Sequence, residues 1–236
     1  MEVLVIHARR FTDRKAHIER LLHRHHLQGI YILDGDMEDL KSNELDRFFT
    51  KDTVMHTVAP FVSCSIKHLY AYEYIIKHNL SGALILEDDM ILSKDFNAIF
   101  TQSLQEYRCK YTDKPIIISY ENTRLRFVPR SKRKKGQVLY QGDRDRMAGC
   151  YYINRLAAEV ILDKAIHEKC SFPIDNYHNK LLHKGLLVYL WCEPTIAEQG
   201  SFNGLFRSRI SNRYLLPDKI RWRTKLIYKR MLYYFR

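Results

Sequence analysis

Short apolar runs closed by turn residues alternate with longer stretches whose apolar positions recur at helical spacing. Val3-Leu4-Val5-Ile6 is a β-branched run that reads as a strand buried on both faces. Thr12 predicts a helix cap, with a helix over 13–25 whose apolar side is Ile18, Leu21 and Leu22. A second run over 30–33 ends in Asp34-Gly35-Asp36, a turn signal. Strand, helix and strand make a βαβ opening.

Ile66, Leu69, Tyr70, Tyr72, Ile75 and Ile76 then lay a broad stripe along a predicted helix over 63–78. Ser81-Gly82 stops it, and Ala83-Leu84-Ile85-Leu86 follows as another buried strand. Further strands are expected over 115–119, 150–153 and 186–190, with helices over 154–165, capped by Asn154, and 176–183. Residues 124–146 are basic and polar around Pro129 and Gly136 and predict a long loop. The pattern implies one α/β domain over 1–210 and a separate tail over 211–236.

Charge sharpens that division. The 236 residues carry 39 Lys+Arg against 27 Asp+Glu, a net charge of +12. From Gly204 onward Asp218 is the only acid, while Arg and Lys recur from Arg207 to Arg236. A basic tail points to a polyanionic surface, either nucleic acid or anionic lipid. Helical projection after Pro217 gathers Ile220, Ile227, Tyr228, Met231, Leu232, Tyr234 and Phe235 on one side; Trp222, Leu226 and Tyr233 blur the basic one. A basic amphipathic helix of this kind is expected to lie on an anionic membrane face. The five cysteines show no C-x-x-C spacing, which fits reduced thiols. With no basic leader and no apolar run of ~18 residues, a cytoplasmic chain is expected, peripheral on the inner face of the cytoplasmic membrane. His23, His25 and His26 diverge around a helix and read as surface residues.

The most informative chemistry is Ala83-Leu84-Ile85-Leu86-Glu87-Asp88-Asp89. An apolar strand ending in three acids places them at the C-terminal sheet edge, where open α/β sheets bind ligands. Strand alternation puts Glu87 and Asp89 on one side and Asp88 on the other. Adjacent carboxylates repel unless a cation or donors offset them, and hard oxygen ligands suit Mg²⁺ or Mn²⁺. Neither a P-loop nor a G-x-G-x-x-G turn occurs.

This strand end resembles glycosyltransferase family 25, the bacterial lipooligosaccharide galactosyltransferases and their collagen-modifying relatives. Other segments agree in chain order: Ile6 through Arg10-x-x-Asp13-Arg14, Asp34-Gly35, Cys64 to His68, Tyr151-x-Ile153-Asn154-x-x-Ala157-Ala158, Pro173-Ile174-Asp175 and Pro194 to Gln199. His7, Lys67 and Asn154 depart from the family pattern, which has Asn, Ser and Ser there.

The resemblance implies a GT-A-like domain with a mixed, mostly parallel sheet that binds a UDP-sugar. It implies a divalent cation, Mn²⁺ or Mg²⁺, at Asp89 and Glu87. Donor contacts are expected from Arg10, Asp13, Arg14, Asp34, Glu87, Asp88, His68 and Gln199. An inverting transferase also needs a base near the acceptor hydroxyl, for which Asp175 is the choice and Glu198 the reserve. The acceptor is a glycolipid or oligosaccharide of lipooligosaccharide type, and galactose is the expected sugar. Structural alternatives stand beside these roles: a helix-dipole contact for Asp13, a surface ion pair for Arg14, a helix cap for Asp175 and a satisfied helix histidine for His68. The rival class is a basic nucleic-acid-binding protein or metal-dependent nuclease, since carboxylates with Mg²⁺ also serve phosphodiester cleavage. Its basic residues should surround the carboxylates, whereas these collect in the tail, so no nucleic-acid partner is expected.

Overall fold

The computed structural model describes residues 1–56, 59–171, 173–206 and 215–235. The first half runs β1 (Glu2–Ile6), α1 (Thr12–Arg24), β2 (Gly29–Ile32), α2 (Ser42–Phe48), α3 (Lys51–His56), α4 (Ala59–Lys77), β3 (Gly82–Glu87), β4 (Met90–Leu92) and α5 (Phe96–Lys110). The second runs β5 (Ile116–Ser119), β6 (Leu139–Gln141), β7 (Cys150–Asn154), α6 (Arg155–His167), α7 (Ile174–His183), β8 (Val188–Cys192), β9 (Ala197–Gln199), α8 (Gly200–Asn203) and α9 (Leu215–Tyr234).

Seven strands form one mixed sheet in the order β2-β1-β3-β7-β5-β8-β6. β1 pairs in parallel with β2 and β3, and β5 with β8, while β7 runs against both β3 and β5, and β6 against β8. Only β6 and β7 therefore oppose the common direction, as expected for a mixed, mostly parallel sheet. β3 shows why its apolar run forms a central strand. Ala83 and Ile85 join the core beneath α4, α6 and α7, while Leu84 and Leu86 join the core beneath α1 and α5. Each such wholly buried Leu or Ile contributes about 1.5–3 kcal/mol. That packing fixes the height at which Glu87 leaves the sheet.

Local departures from the sequence pattern have physical causes. Thr12 is the first residue of α1, not its cap; Phe11 occupies the cap position and supplies no side-chain hydrogen bond. Asn154 does cap α6, its Oδ1 accepting from Ala157 N at 3.0 Å. Helix α5 is not among the elements expected from the apolar pattern, yet Phe96, Phe100, Ser103 and Tyr107 share its buried face. Residues 124–146 are not all loop, because β6 adds an edge strand to β8. His25 is buried, edge-on to Phe96 at 5.7 Å, and burial lowers its pKa. None of the five cysteines is in a disulfide.

The expected domain boundary at 210 lies outside the described residues. Helix α9 touches the domain, with Tyr233 edge-on to Phe127 at 5.8 Å and the Arg130 guanidinium 4.2 Å from the Tyr234 ring. Trp222 and Leu226 line a small pocket with Asn122, Thr123 and Glu198. Ile220, Ile227, Tyr228, Met231, Tyr234 and Phe235 are each more than half exposed. The residues that blurred the amphipathic pattern thus face the domain, joined there by Tyr234 from the apolar side. No helix among the described residues is long and apolar enough to cross a membrane.

Candidate active site

A cleft opens at the C-terminal ends of β1 and β3. Ile6 pairs with Glu87, so His7 and Ala8 leave the sheet beside the acidic triplet. Lining the cleft are Glu87, Asp88 and Asp89 together with Arg10, Phe11 and Arg14 from the start of α1, Cys64 and Lys67 from α4, and Gln199 and Ser201. Strand structure stops at Glu87, and Asp88 and Asp89 occupy a turn. Strict alternation therefore ends two residues before the triplet does, and the expected two-sided split does not hold: Arg14 reaches both Asp88 and Asp89.

Each acid has a distinct environment. Asp88 is buried, with Oδ2 2.8 Å from His7 Nδ1 and Oδ1 accepting from Arg14 Nη1 at 3.0 Å. Glu87 Oε2 accepts from Gln199 Nε2 at 2.8 Å. Its Oε1 faces Cys64 Sγ at 3.7 Å and His68 Nε2 at 3.5 Å. Asp89 is 2% exposed, lies 3.8 Å from Arg14 Nη2, and has no hydrogen-bond partner for Oδ1 among the described residues. Burial, then the negative charge of Glu87, raises its pKa to about 7 against the opposing pull of Arg14. Burial alone would lower the pKa of Arg14, but the charges of Asp89 and Asp88 prevail and raise it. Gly200 is required here: its N–H donates to Asp89 O at 2.8 Å, and an added Cβ would lie 2.7 Å from that oxygen.

The structure also brings in residues that the acidic motif did not announce. Glu121 is wholly buried behind the triplet, 2.5 Å from Thr123 Oγ1 and hydrogen-bonded to Gly149 N. Burial raises its pKa to about 8, with the charge of Glu87 adding to the rise, so near neutrality it holds a proton. Both cleft departures from the family pattern carry contacts. His7 holds Asp88, and the buried Lys67 ammonium donates to Leu33 O at 2.7 Å and Asp34 O at 3.0 Å and pairs with Asp36 at 3.0 Å. Lys67 thereby pins the turn after β2, in which Gly35 takes a left-handed φ of 89°.

Arg14, Glu87, Asp88, Asp89 and Gln199 line the cleft, and His68 lies behind its wall. Arg10 stands at the rim, half-exposed and hydrogen-bonded to Glu38. Asp13 is exposed in the first turn of α1 and does not line the cleft. Asp34 is also outside: its side chain is 86% exposed and pairs with Arg9 at 3.2 Å, while Asp36 is the buried acid of that turn.

Asp175 is neither in the cleft nor a helix cap. It sits inside the first turn of α7, where Oδ2 accepts from Arg124 Nη2 at 2.5 Å and Oδ1 from Asn176 N at 2.9 Å. Arg124 also pairs with the wholly buried Asp145 at 2.8 Å, which in turn pairs with Arg126 at 3.2 Å. Both oxygens of Asp175 are thus already engaged, one by Arg124 and one by Asn176 N. Glu198 lines the α9 pocket and is not among the residues that line the cleft.

Residues 1–178 match the family model of glycosyltransferase family 25, described as LPS biosynthesis protein. No individually curated protein matches the chain. Among solved structures it is similar to a glycosyltransferase involved in the glycosylation of the major capsid of PBCV-1, at 8% identity and a TM-score of 0.42, over 94% of this chain and 100% of that one. It is also similar to A197 from STIV, at 11% identity and a TM-score of 0.39, over 81% of this chain and 82% of that one. The family match carries the assignment. With most of its length matched to that model, the chain belongs to glycosyltransferase family 25 and is a transferase.

Proposed function

We propose that this transferase moves galactose from UDP-galactose onto a lipooligosaccharide-type acceptor, with inversion and with Mn²⁺ or Mg²⁺ held by Asp89 and Glu87. The observation that carries the reading is charge imbalance at the sheet edge. Of the cationic side chains that line the cleft, Arg10 is paired with Glu38 and Lys67 with Asp36, so Arg14 alone pairs with the triplet among the described residues, and Asp89 Oδ1 is buried without a partner there. An orphaned carboxylate oxygen beside two more acids fits a hard divalent cation. When bound, such a cation supplies charge that stabilises the departing diphosphate. Arg14 holds Asp88 and Asp89 in place and presents positive charge at the same point. Arg10 and Phe11 form the rim on which the nucleotide rests, with the Arg10 guanidinium 4.8 Å from the Phe11 ring.

The lipid-linked acceptor explains α9. Its exposed apolar residues, flanked by Arg221, Arg223 and Lys225, form a face that lies on the anionic inner surface of the cytoplasmic membrane, where each basic residue contributes about 1 kcal/mol. Truncation after Leu216 should release the protein from anionic vesicles; equal binding by the truncated chain would remove this part of the reading.

The donor is tested by thermal shift with UDP-, GDP- and CMP-sugars, each with and without Mn²⁺. Stabilisation should be greatest with a UDP-sugar and Mn²⁺ together, followed by transfer to a lipooligosaccharide acceptor. A metal-independent shift, or preference for a GDP- or CMP-sugar, would overturn the donor and metal assignment.

A further inference from the structure

Behind the acidic triplet lies a second arrangement of metal-ligating atoms of different chemistry. Cys64 and His68 are four residues apart on α4, so both project from one face toward β3. Opposite them stands Glu87 at the end of that strand. Cys64 Sγ is 3.7 Å and His68 Nε2 3.5 Å from the same oxygen, Glu87 Oε1, and one donor atom from each residue lies within 4.8 Å of the other two. Zinc bonds of about 2.0–2.3 Å in a tetrahedron require ligand atoms about 3.3–3.6 Å apart. The two separations to Glu87 Oε1 are already close to that spacing, and the third lies within 4.8 Å.

An independent observation points the same way. His68 is wholly buried, and its Nε2 has no hydrogen-bond partner among the described residues although it faces this point. The other ring nitrogen is held: Nδ1 lies 2.8 Å from Tyr151 Oη, which lies 2.6 Å from Tyr72 Oη, which lies 2.9 Å from His178 Nε2. Running these protons toward His178 makes Nδ1 the donor and leaves Nε2 a bare lone pair. A hydrogen-bonded outer partner that fixes tautomer and ring orientation is the usual support of a metal-bound histidine.

We propose that Cys64, His68 and Glu87 form a zinc site, with three protein ligands and a fourth position open to the cleft that Cys64 and Glu87 line. The thiolate and imidazole select Zn²⁺ over Mg²⁺ or Mn²⁺, which prefer the all-oxygen setting around Asp89. Binding replaces the Cys64 S–H contact to Glu87 with a sulfur–metal bond and releases the thiol proton to solvent. Glu87 is the one residue shared with the proposed donor cation; the zinc site does not depend on the transferase reading.

Cobalt(II) serves as the spectroscopic probe on the full chain after chelator treatment, in a Cys109→Ser background that removes the exposed thiol. One equivalent of Co²⁺ should produce a thiolate-to-cobalt charge-transfer band that Zn²⁺ displaces. Cys64→Ser should abolish the band, Asp89→Asn should keep it, and Tyr151→Phe should weaken metal affinity about 10–100-fold. A second measurement needs no ligand variant: Zn²⁺ should protect Cys64, mapped by mass spectrometry, from alkylation. Absence of the band, its persistence in Cys64→Ser, or unprotected Cys64 under saturating Zn²⁺ would overturn the site. If the band is present but no sugar is transferred, the transferase assignment fails and the zinc site stands. If transfer depends on Asp89 and Mn²⁺ without any band, only the zinc site fails.

Discussion

Two carboxylate clusters, both built across the sheet's C-terminal edge, differ in how their charge is balanced. In the first, Asp88 and Asp89 share Arg14, Asp88 also meets His7 and Glu87 meets Gln199, and Asp89 retains an unpartnered oxygen among the described residues. In the second, Asp145 and Asp175 meet Arg124 and Arg126, two acids against two guanidiniums, and Asn179 adds a further donor to Asp145. The second cluster is complete without anything from outside. In the first, burial and the charge of Glu87 raise the pKa of Asp89, so a proton or a cation on its acids relieves the repulsion. Incomplete satisfaction marks the place where substrate chemistry belongs, and complete satisfaction marks a structural brace.

Asp89→Asn should have the largest effect on function. The amide keeps the shape and loses the charge, so transfer should fall about 10²–10³-fold, the scale of one lost electrostatic contact to a transition state. Melting temperature should be unchanged or raised, because a buried like charge is removed; a variant with full turnover would remove Asp89 from the mechanism. In the balanced cluster the effect should fall on stability. Asp145→Ala strands two partly buried guanidiniums and should cost about 3 kcal/mol in denaturant unfolding; a loss below 1 kcal/mol, on the order of a surface pair, would contradict the brace.

Asp175→Asn separates the two clusters more finely. A brace residue whose amide still accepts from Arg124 should cost about 1 kcal/mol and leave turnover within about tenfold of the parent. A collapse of kcat with donor affinity retained would restore Asp175 as the acceptor base. A further expected effect concerns Glu121 and appears in the pH dependence of stability. An unfolded glutamate titrates near 4.5, whereas Glu121 in the folded chain titrates at about 8. Between those values the folded chain holds a proton that the unfolded chain has released. Its contribution to stability is therefore complete below 4.5 and is lost as pH rises through about 8. Glu121→Gln should flatten the fall in melting temperature across that window; an identical pH profile would show that Glu121 is ionised throughout.

The sheet was legible because its strands are apolar runs with clear stops, and the acidic triplet because three charges follow such a run directly. The partners were less so. His7 is 81 residues from Asp88 and becomes its neighbour only through the β1–β3 register. Glu121 is a lone acid after β5, and nothing local distinguishes it from a surface glutamate. Asp34 and Asp36 flank one glycine, and which of them is buried depends on Lys67, reaching across from α4. His7 and Lys67 stand out in the sequence only as departures from the family pattern, and that pattern does not say what either residue contacts. For the tail, periodicity separated an apolar side from a basic one but could not show that Trp222, Leu226 and Tyr233 belong to a third, domain-facing side.

The imbalance at the sheet edge is tested most directly by calorimetric titration of UDP into the full chain, with and without Mn²⁺, in the parent and in Asp89→Asn. The account predicts that Mn²⁺ tightens UDP binding at least about tenfold in the parent, about 1.4 kcal/mol, and leaves Asp89→Asn unaffected. Equal UDP affinity with and without Mn²⁺ in the parent, or the same Mn²⁺ enhancement in Asp89→Asn, would contradict it.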